Sequence, residues 1–209
     1  APQFFNRGIG LDKELLPWLE AYTYPEEAKF SDLSYAEKVY RQVVLELWKQ
    51  GTTRSVLFGT IHKEATMLLM DLLAGAGLSS YVGKVNMDRN SPHKLTETAS
   101  ESLKATDDWL DETKDKYKTV KPIITPRFVP TCSSKLMEGL GKLAKDYDVP
   151  VQSHLSENQN EIAWVRELHP AFPDYASVYD HFGLLGQQPT IMAHCVHNTD
   201  REIELMVNN

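Results

Sequence analysis

Short runs of β-branched and apolar residues alternate with longer amphipathic helical patterns along the chain, and this alternation limits the fold more than any other feature. The strand-like runs cover 55–61, 81–87, 120–128, 150–155 and 190–195. Each is bounded by Gly, Pro or polar residues, as buried strands are. Their starts fall roughly 30–40 residues apart, about the length of one βαβ unit. The clearest helix follows Ser34, where Ala36, Val39, Tyr40, Val43, Val44, Leu47 and Trp48 recur as one apolar stripe. Ser34 and Glu37 have the spacing of a capping box, and Gly51 supplies the stop. Further helices are expected over about 63–76, 97–117, 133–147, 158–168 and 199–207, the last opened by a second box, Thr199 with Glu202. Strand–helix alternation without hairpin signals specifies an α/β fold, a parallel sheet covered by helices.

Composition excludes several classes. The 209 residues are 42% hydrophobic and 24% charged, the balance of a globular chain rather than a disordered or collagen-like one. Twenty-two basic against 29 acidic residues leave a formal charge of −7, so no basic field attracts nucleic acid or an anionic membrane. No apolar run approaches the ~18 residues of a membrane span, and no signal segment opens the chain. Cys132 and Cys195 are too few for a disulfide framework and lack metal-finger spacing, so a reducing cytoplasm is the default. The chain starts at Ala1-Pro2-Gln3 rather than at Met, which fits processing or an internal starting point.

Two parallel architectures compete, the open doubly wound sheet and the (β/α)8 barrel. The glycine-rich first turn of a nucleotide-binding sheet is missing, and Gly75-Ala76-Gly77 reads as a helix C-cap. Polar residues instead gather late in the strands: Lys84 and Asn86, Thr125 and Arg127, Gln152 and His154, then His194. Late-strand inward positions face the mouth of a barrel, which favours that architecture.

Of seven histidines, His154 and His194 stand out, each closing a strand-like run and separated by one helical crossover. His62 follows a strand end, while His93, His169, His181 and His197 read as loop or surface residues. A neutral imidazole at a strand end can bind zinc or hydrogen-bond a substrate. Glu157 lies three residues beyond His154, where the chain turns into the next helix. A carboxylate there can move a proton from water to a leaving nitrogen. The ordinary alternative is an acid favoured by the helix dipole. A catalytic zinc takes about three protein ligands and a water. No H-x-H, H-E-x-x-H or C-x-x-C pair is present, so a complete set cannot be assembled from these residues.

Ser153-His154-Leu155-Ser156-Glu157-Asn158 and Met192-Ala193-His194 resemble fifth- and sixth-strand motifs of the amidohydrolase superfamily. Ala1-Pro2-Gln3-Phe4, Gly8-Ile9-Gly10-Leu11-Asp12, Trp18-Leu19-Glu20, Gly51-Thr52-Thr53, Gly83-Lys84-Val85, Pro122 to Phe128 and Ser177-Val178-Tyr179-Asp180 narrow the resemblance to its guanine deaminase family. The resemblance implies a partial (β/α)8 TIM barrel over 1–209, about strands two to six with their helices. It also implies a cytoplasmic, homodimeric zinc enzyme, one Zn2+ per subunit, that hydrolyses guanine to xanthine and ammonia. By motif position His154 is then a zinc ligand and Glu157 the proton shuttle, with His194 orienting the attack. Arg127 and Phe128 contact the purine, and Gln3 bonds its edge.

The family pattern places an H-x-H pair just before the Ala-Pro-Gln segment and a ligand Asp at the eighth strand. Measured against that pattern, the chain is expected to be an internal fragment with negligible turnover on its own. Two other readings stay open. One is a different aminohydrolase, acting on a pterin, a triazine or another nucleobase. The other is a noncatalytic interaction protein that kept part of a barrel.

Overall fold

A computed structural model describes all 209 residues. In chain order the helices and strands are α1 (Leu15–Trp18), α2 (Tyr24–Glu27), α3 (Leu33–Lys49), β1 (Arg54–Phe58), α4 (Lys63–Gly75), β2 (Ser79–Gly83), β3 (Val85–Asn86), α5 (Ala99–Thr113), β4 (Val120–Pro122), β5 (Thr125–Pro126), α6 (Ser134–Tyr147), β6 (Val151–Leu155), α7 (Gln159–Leu168), α8 (Tyr175–His181), β7 (Thr190–His194) and α9 (Asp200–Asn208). No helix is long and apolar enough to cross a membrane. The chain divides into two compact units. The first holds 1–85, 92–95 and 104–123; the second holds 86–91, 96–103 and 124–209.

The first unit contains a three-stranded parallel sheet in the order β1-β2-β4, with Arg54 opposite Ser79 and Ser80 opposite Val120. Helix α3 packs on α4. Its buried stripe of Ala36, Val39, Tyr40, Val43 and Val44 joins Ala65, Leu69, Met70 and Leu73 of α4 in the core, as the apolar spacing requires. The cap differs from the sequence reading. Asp32, not Ser34, is the N-cap, its carboxylate accepting the N–H groups of Ser34 and Tyr35. Ser34 already lies inside the helix, and its hydroxyl donates to Asp32. Gly51 ends the helix as expected, at φ +69°.

Residues 15–31 form short helical pieces for which the sequence raised no expectation. Between α1 and α2 lies a π-helical turn, Leu19–Thr23, and a 3-10 turn, Ala28–Ser31, follows α2. Pieces of four or five residues carry no periodic stripe to read.

In the second unit β6 and β7 pair in parallel, from Val151 opposite Thr190 to Leu155 opposite His194. Ile124 bridges Val151 on the other side of β6, and the Gln152 N–H donates to the Ile124 carbonyl at 2.8 Å. The β1–β2, β2–β4 and β6–β7 pairings are all parallel, the α/β arrangement the alternation implies. Leu136, Met137, Leu140, Val165, Tyr175, Val178 and Tyr179 bury the helices against one another and the sheet. Thr199 and Glu202 form the expected capping box, and Asn158 with Glu161 forms another. The runs read as single strands over 81–87 and 120–128 are each interrupted, because Lys84 and Ile123 separate short pairing segments.

Candidate active site

Side chains alternate along β6, so Gln152 and His154 share one face. His154 Nδ1 lies 2.7 Å from the Arg127 carbonyl oxygen. An N–H donated there fixes the tautomer and leaves Nε2 as the acceptor nitrogen. Burial pushes the His154 pKa down to about 3, with the Arg127 charge and the His194 ring acting the same way. The imidazole is therefore neutral at neutral pH, the form that binds metals.

Parallel pairing of β6 with β7 brings the second histidine alongside. Their rings stack at 5.4 Å between centroids, 19° from parallel. Nε2 of His194 lies 3.3 Å from Oε2 of Glu157, a charge pair when the imidazole is protonated. Burial raises the Glu157 pKa, and the Arg127 guanidinium partly offsets the rise. His194 shifts down, again chiefly through burial.

The strand ends are held in unusual backbone. Ser156, His194 and Cys195 adopt φ of +50°, +73° and +53°. Such left-handed residues without glycine cost about 1–3 kcal/mol each and gather at functional sites. Two hydrogen bonds tie the tails together: Cys195 N–H to Leu155 O at 2.9 Å, and His197 N–H to Ser156 O at 3.0 Å.

Arg127 is buried, and its own N–H donates to the Asn86 carbonyl. Phe128 is 3% exposed and meets Trp164 edge-on, 6.5 Å between centroids. The second unit thus gathers His154, His194, Glu157 and Arg127, with Phe128 packed beside Arg127 in sequence. Gln3 lies in the first unit. Its amide nitrogen donates to the Thr23 carbonyl and to Glu27 Oε1, and its oxygen accepts from Asn6.

Residues to which the sequence assigned no role also support the site. Glu161 accepts from the Glu157 and Asn158 amides and from the Tyr175 hydroxyl. Tyr179 hydrogen-bonds the His154 carbonyl. The Asn158-x-x-Glu161 spacing was a readable signal, equal to that of Thr199 and Glu202. Asp88 had none. Its carboxylate accepts the N–H and hydroxyl of Ser133 and so anchors the chain following Phe128.

The donor chemistry suits part of a zinc site. His154 is neutral and oriented through Nδ1, as ligating histidines are, and His194 stands beside it. No group of three or more His, Cys, Asp and Glu side chains is arranged to hold a metal.

Residues 2–209 match the model of the amidohydrolase family. Guanine deaminase of Dictyostelium discoideum is 47% identical over 99% of this chain and 46% of its own length. The crystal structure of guanine deaminase from C. acetobutylicum with bound guanine superposes with a TM-score of 0.98 at 55% identity, covering 100% of this chain and 50% of that one. Atrazine chlorohydrolase from Arthrobacter aurescens complexed with zinc shares the fold alone, with a TM-score of 0.84 at 17% identity over 99% of this chain and 49% of that one. The chain spans about half the length of the curated relatives it matches. A family model matched over nearly every residue, and a pair of strand-end histidines facing a carboxylate, place the chain in the amidohydrolase family.

Proposed function

We propose that these residues belong to a zinc-dependent guanine deaminase, which hydrolyses guanine to xanthine and ammonia. The observation that carries the reading is the placement of the Glu157 carboxylate, 3.3 Å from an imidazole that stacks on His154. The likeness to guanine deaminases at 47% and 55% identity supports the same substrate. The parallel strands fit strands two to six of a (β/α)8 barrel within one domain over 1–209. A cytoplasmic homodimer completes the proposal, on the family resemblance.

His154 would hold the metal, with His194 beside it. A bound zinc ion supplies Lewis-acid activation of the attacking water. Glu157, its pKa raised by burial, is suited to take a proton from water and deliver it to the ring nitrogen and the departing amine. His194 orients the attack through its contact with Glu157. Arg127 offers a donor-only fork for the purine carbonyl and ring nitrogen, and Phe128 gives the base an apolar aromatic wall. Gln3, whose amide both donates and accepts, is proposed for the purine edge.

The test uses the complete native polypeptide that carries these residues, loaded with zinc and offered guanine, adenine, cytosine and an amino-triazine separately. Xanthine with an equal yield of ammonia, from guanine alone, is the expected result. Turnover of one of the others with none of guanine overturns the proposal in favour of another aminohydrolase. No turnover of any, with zinc bound, favours the noncatalytic reading.

A further inference from the structure

Glu161 has no exposed surface, and both of its carboxylate oxygens are engaged. Oε2 accepts the Glu157 N–H at 2.9 Å and the Asn158 N–H at 3.2 Å; Oε1 accepts the Tyr175 hydroxyl at 2.8 Å. A capping box requires only the Asn158 contact. At α5 and α9, which a Thr-x-x-Glu pair opens, Glu101 and Glu202 accept both the N–H and the hydroxyl of their own threonine, Thr98 and Thr199. Glu161 instead reaches one residue further back, to Glu157.

Tyr175 extends this contact into the sheet. Its ring stacks on Tyr179, 5.6 Å between centroids and 18° from parallel. The Tyr179 hydroxyl lies 2.9 Å from the His154 carbonyl and 2.7 Å from the Ser153 hydroxyl. One buried polar chain therefore grips both the end of β6 and the loop that carries Glu157. Buried chains of this kind hold position firmly when every member is satisfied and poorly when one is removed.

We propose that Glu161 is a positioning residue: by holding the Glu157 backbone it sets where the Glu157 carboxylate meets the His194 ring. For its effect on rate this inference rests on the deaminase reading above. An alanine at 161 leaves two amide hydrogens and a tyrosine hydroxyl without their acceptor. A glutamine keeps an oxygen for the two amides and turns its NH2 towards the Tyr175 oxygen, in nearly the same volume.

The test compares E161A, E161Q and Y175F in the zinc-loaded complete polypeptide, with circular dichroism as the check of folding. Expected for E161A is a kcat lower by about 10²-fold, the scale of a 1 Å misplacement, with the KM for guanine held. E161Q recovers most of kcat, and Y175F falls between. Wild-type kcat in folded E161A overturns the proposal. So does a loss in which kcat and KM change together, follow the folded fraction and are not rescued by E161Q. A second readout is independent of turnover: the imidazole signals of His194 in 15N-histidine-labelled protein. In E161A they are expected to move towards their position in E157Q, while E161Q stays near wild type. Unmoved signals in E161A overturn the inference. A wild-type protein without guanine turnover defeats the deaminase reading alone, and the imidazole signals still decide this one. Should E161A not fold, Y175F and E161Q decide on the same two readouts.

Discussion

In the first unit, β1 and β2 run out into glycine; in the second, β6 and β7 run out into residues with side chains held at positive φ. Gly59 follows β1, and its N–H donates to the carbonyl of Gly83, the last residue of β2. A Cβ at 59 would sit 2.8 Å from that oxygen and 2.9 Å from Thr66 Oγ1. Glycine there answers a local crowding requirement. Ser156, His194 and Cys195 meet the opposite situation: glycine would relieve their backbone, yet side chains stand in its place. The difference teaches how to read strand ends. A glycine end marks close packing, while a strained non-glycine end marks a position where a side chain is needed despite its conformational cost.

The largest effect should come from the reacting end. Glu157→Gln removes the carboxylate while keeping its shape, so kcat for guanine in the complete polypeptide should fall by about 10²–10⁴-fold with folding intact. Steady-state kinetics would check this, and an unchanged kcat would deprive the second unit of its chemical role. Gly59→Ala should destabilise by about 1–3 kcal/mol, because the carbonyl it meets is backbone and cannot swing aside. Denaturant titration measures that; a neutral result would mean that glycine at this end is incidental.

Ser156→Gly should work in the other direction. It relieves a left-handed φ, and it removes a buried hydroxyl with no hydrogen-bond partner. A gain of about 0.5–1 kcal/mol is expected after the added chain entropy of glycine. A melting temperature below wild type would count against stored strain at this end.

The smallest effect concerns pH. His169 is buried, with its Nε2 3.2 Å from Arg89 Nη2. Burial first, then the Arg89 charge, lowers its pKa in the folded state. The unfolded chain therefore binds the extra proton first as pH falls below the ordinary histidine value of about 6.5. The stability this neutral histidine contributes is complete above that value and is lost towards the folded pKa. His169→Gln should flatten the stability profile between about pH 7 and 5, as chemical denaturation at each pH would reveal. A steeper profile would refute the assignment.

Much of the architecture was legible because strands and helices announce themselves by different periods. The five β-branched runs and the helices around 36–48, 63–76, 133–147, 158–168 and 199–207 lie where the structure places them, within a few residues. What stayed hidden had local causes. Residues 15–31 turn too quickly to show a stripe. The α3 cap was misplaced because Asp32 and Ser34 both suit an N-cap, and only the backbone shows that Asp32 carries the extended φ and ψ. At the site, His154, Glu157 and His194 were readable as polar residues closing apolar strands. Glu161 carried a readable capping-box spacing with Asn158, but its contact with Tyr175 and the bonds of Tyr179 were not legible, because a buried polar network is defined by partners distant in sequence. The short contact of Tyr175 with Glu161 spans fourteen positions, and that of Tyr179 with Ser153 twenty-six.

The two bonds joining the tails of β6 and β7 also bear on motion. With Cys195 bonded to Leu155 and His197 to Ser156, the two strand tips cannot separate without breaking these bonds. A displacement of His194 therefore has to break the bond to Ser156 or carry the Ser156 turn, which precedes Glu157. The 3.3 Å separation of the Glu157 carboxylate and the His194 imidazole is thus set by the pairing of the two strand ends as well as by the side chains themselves.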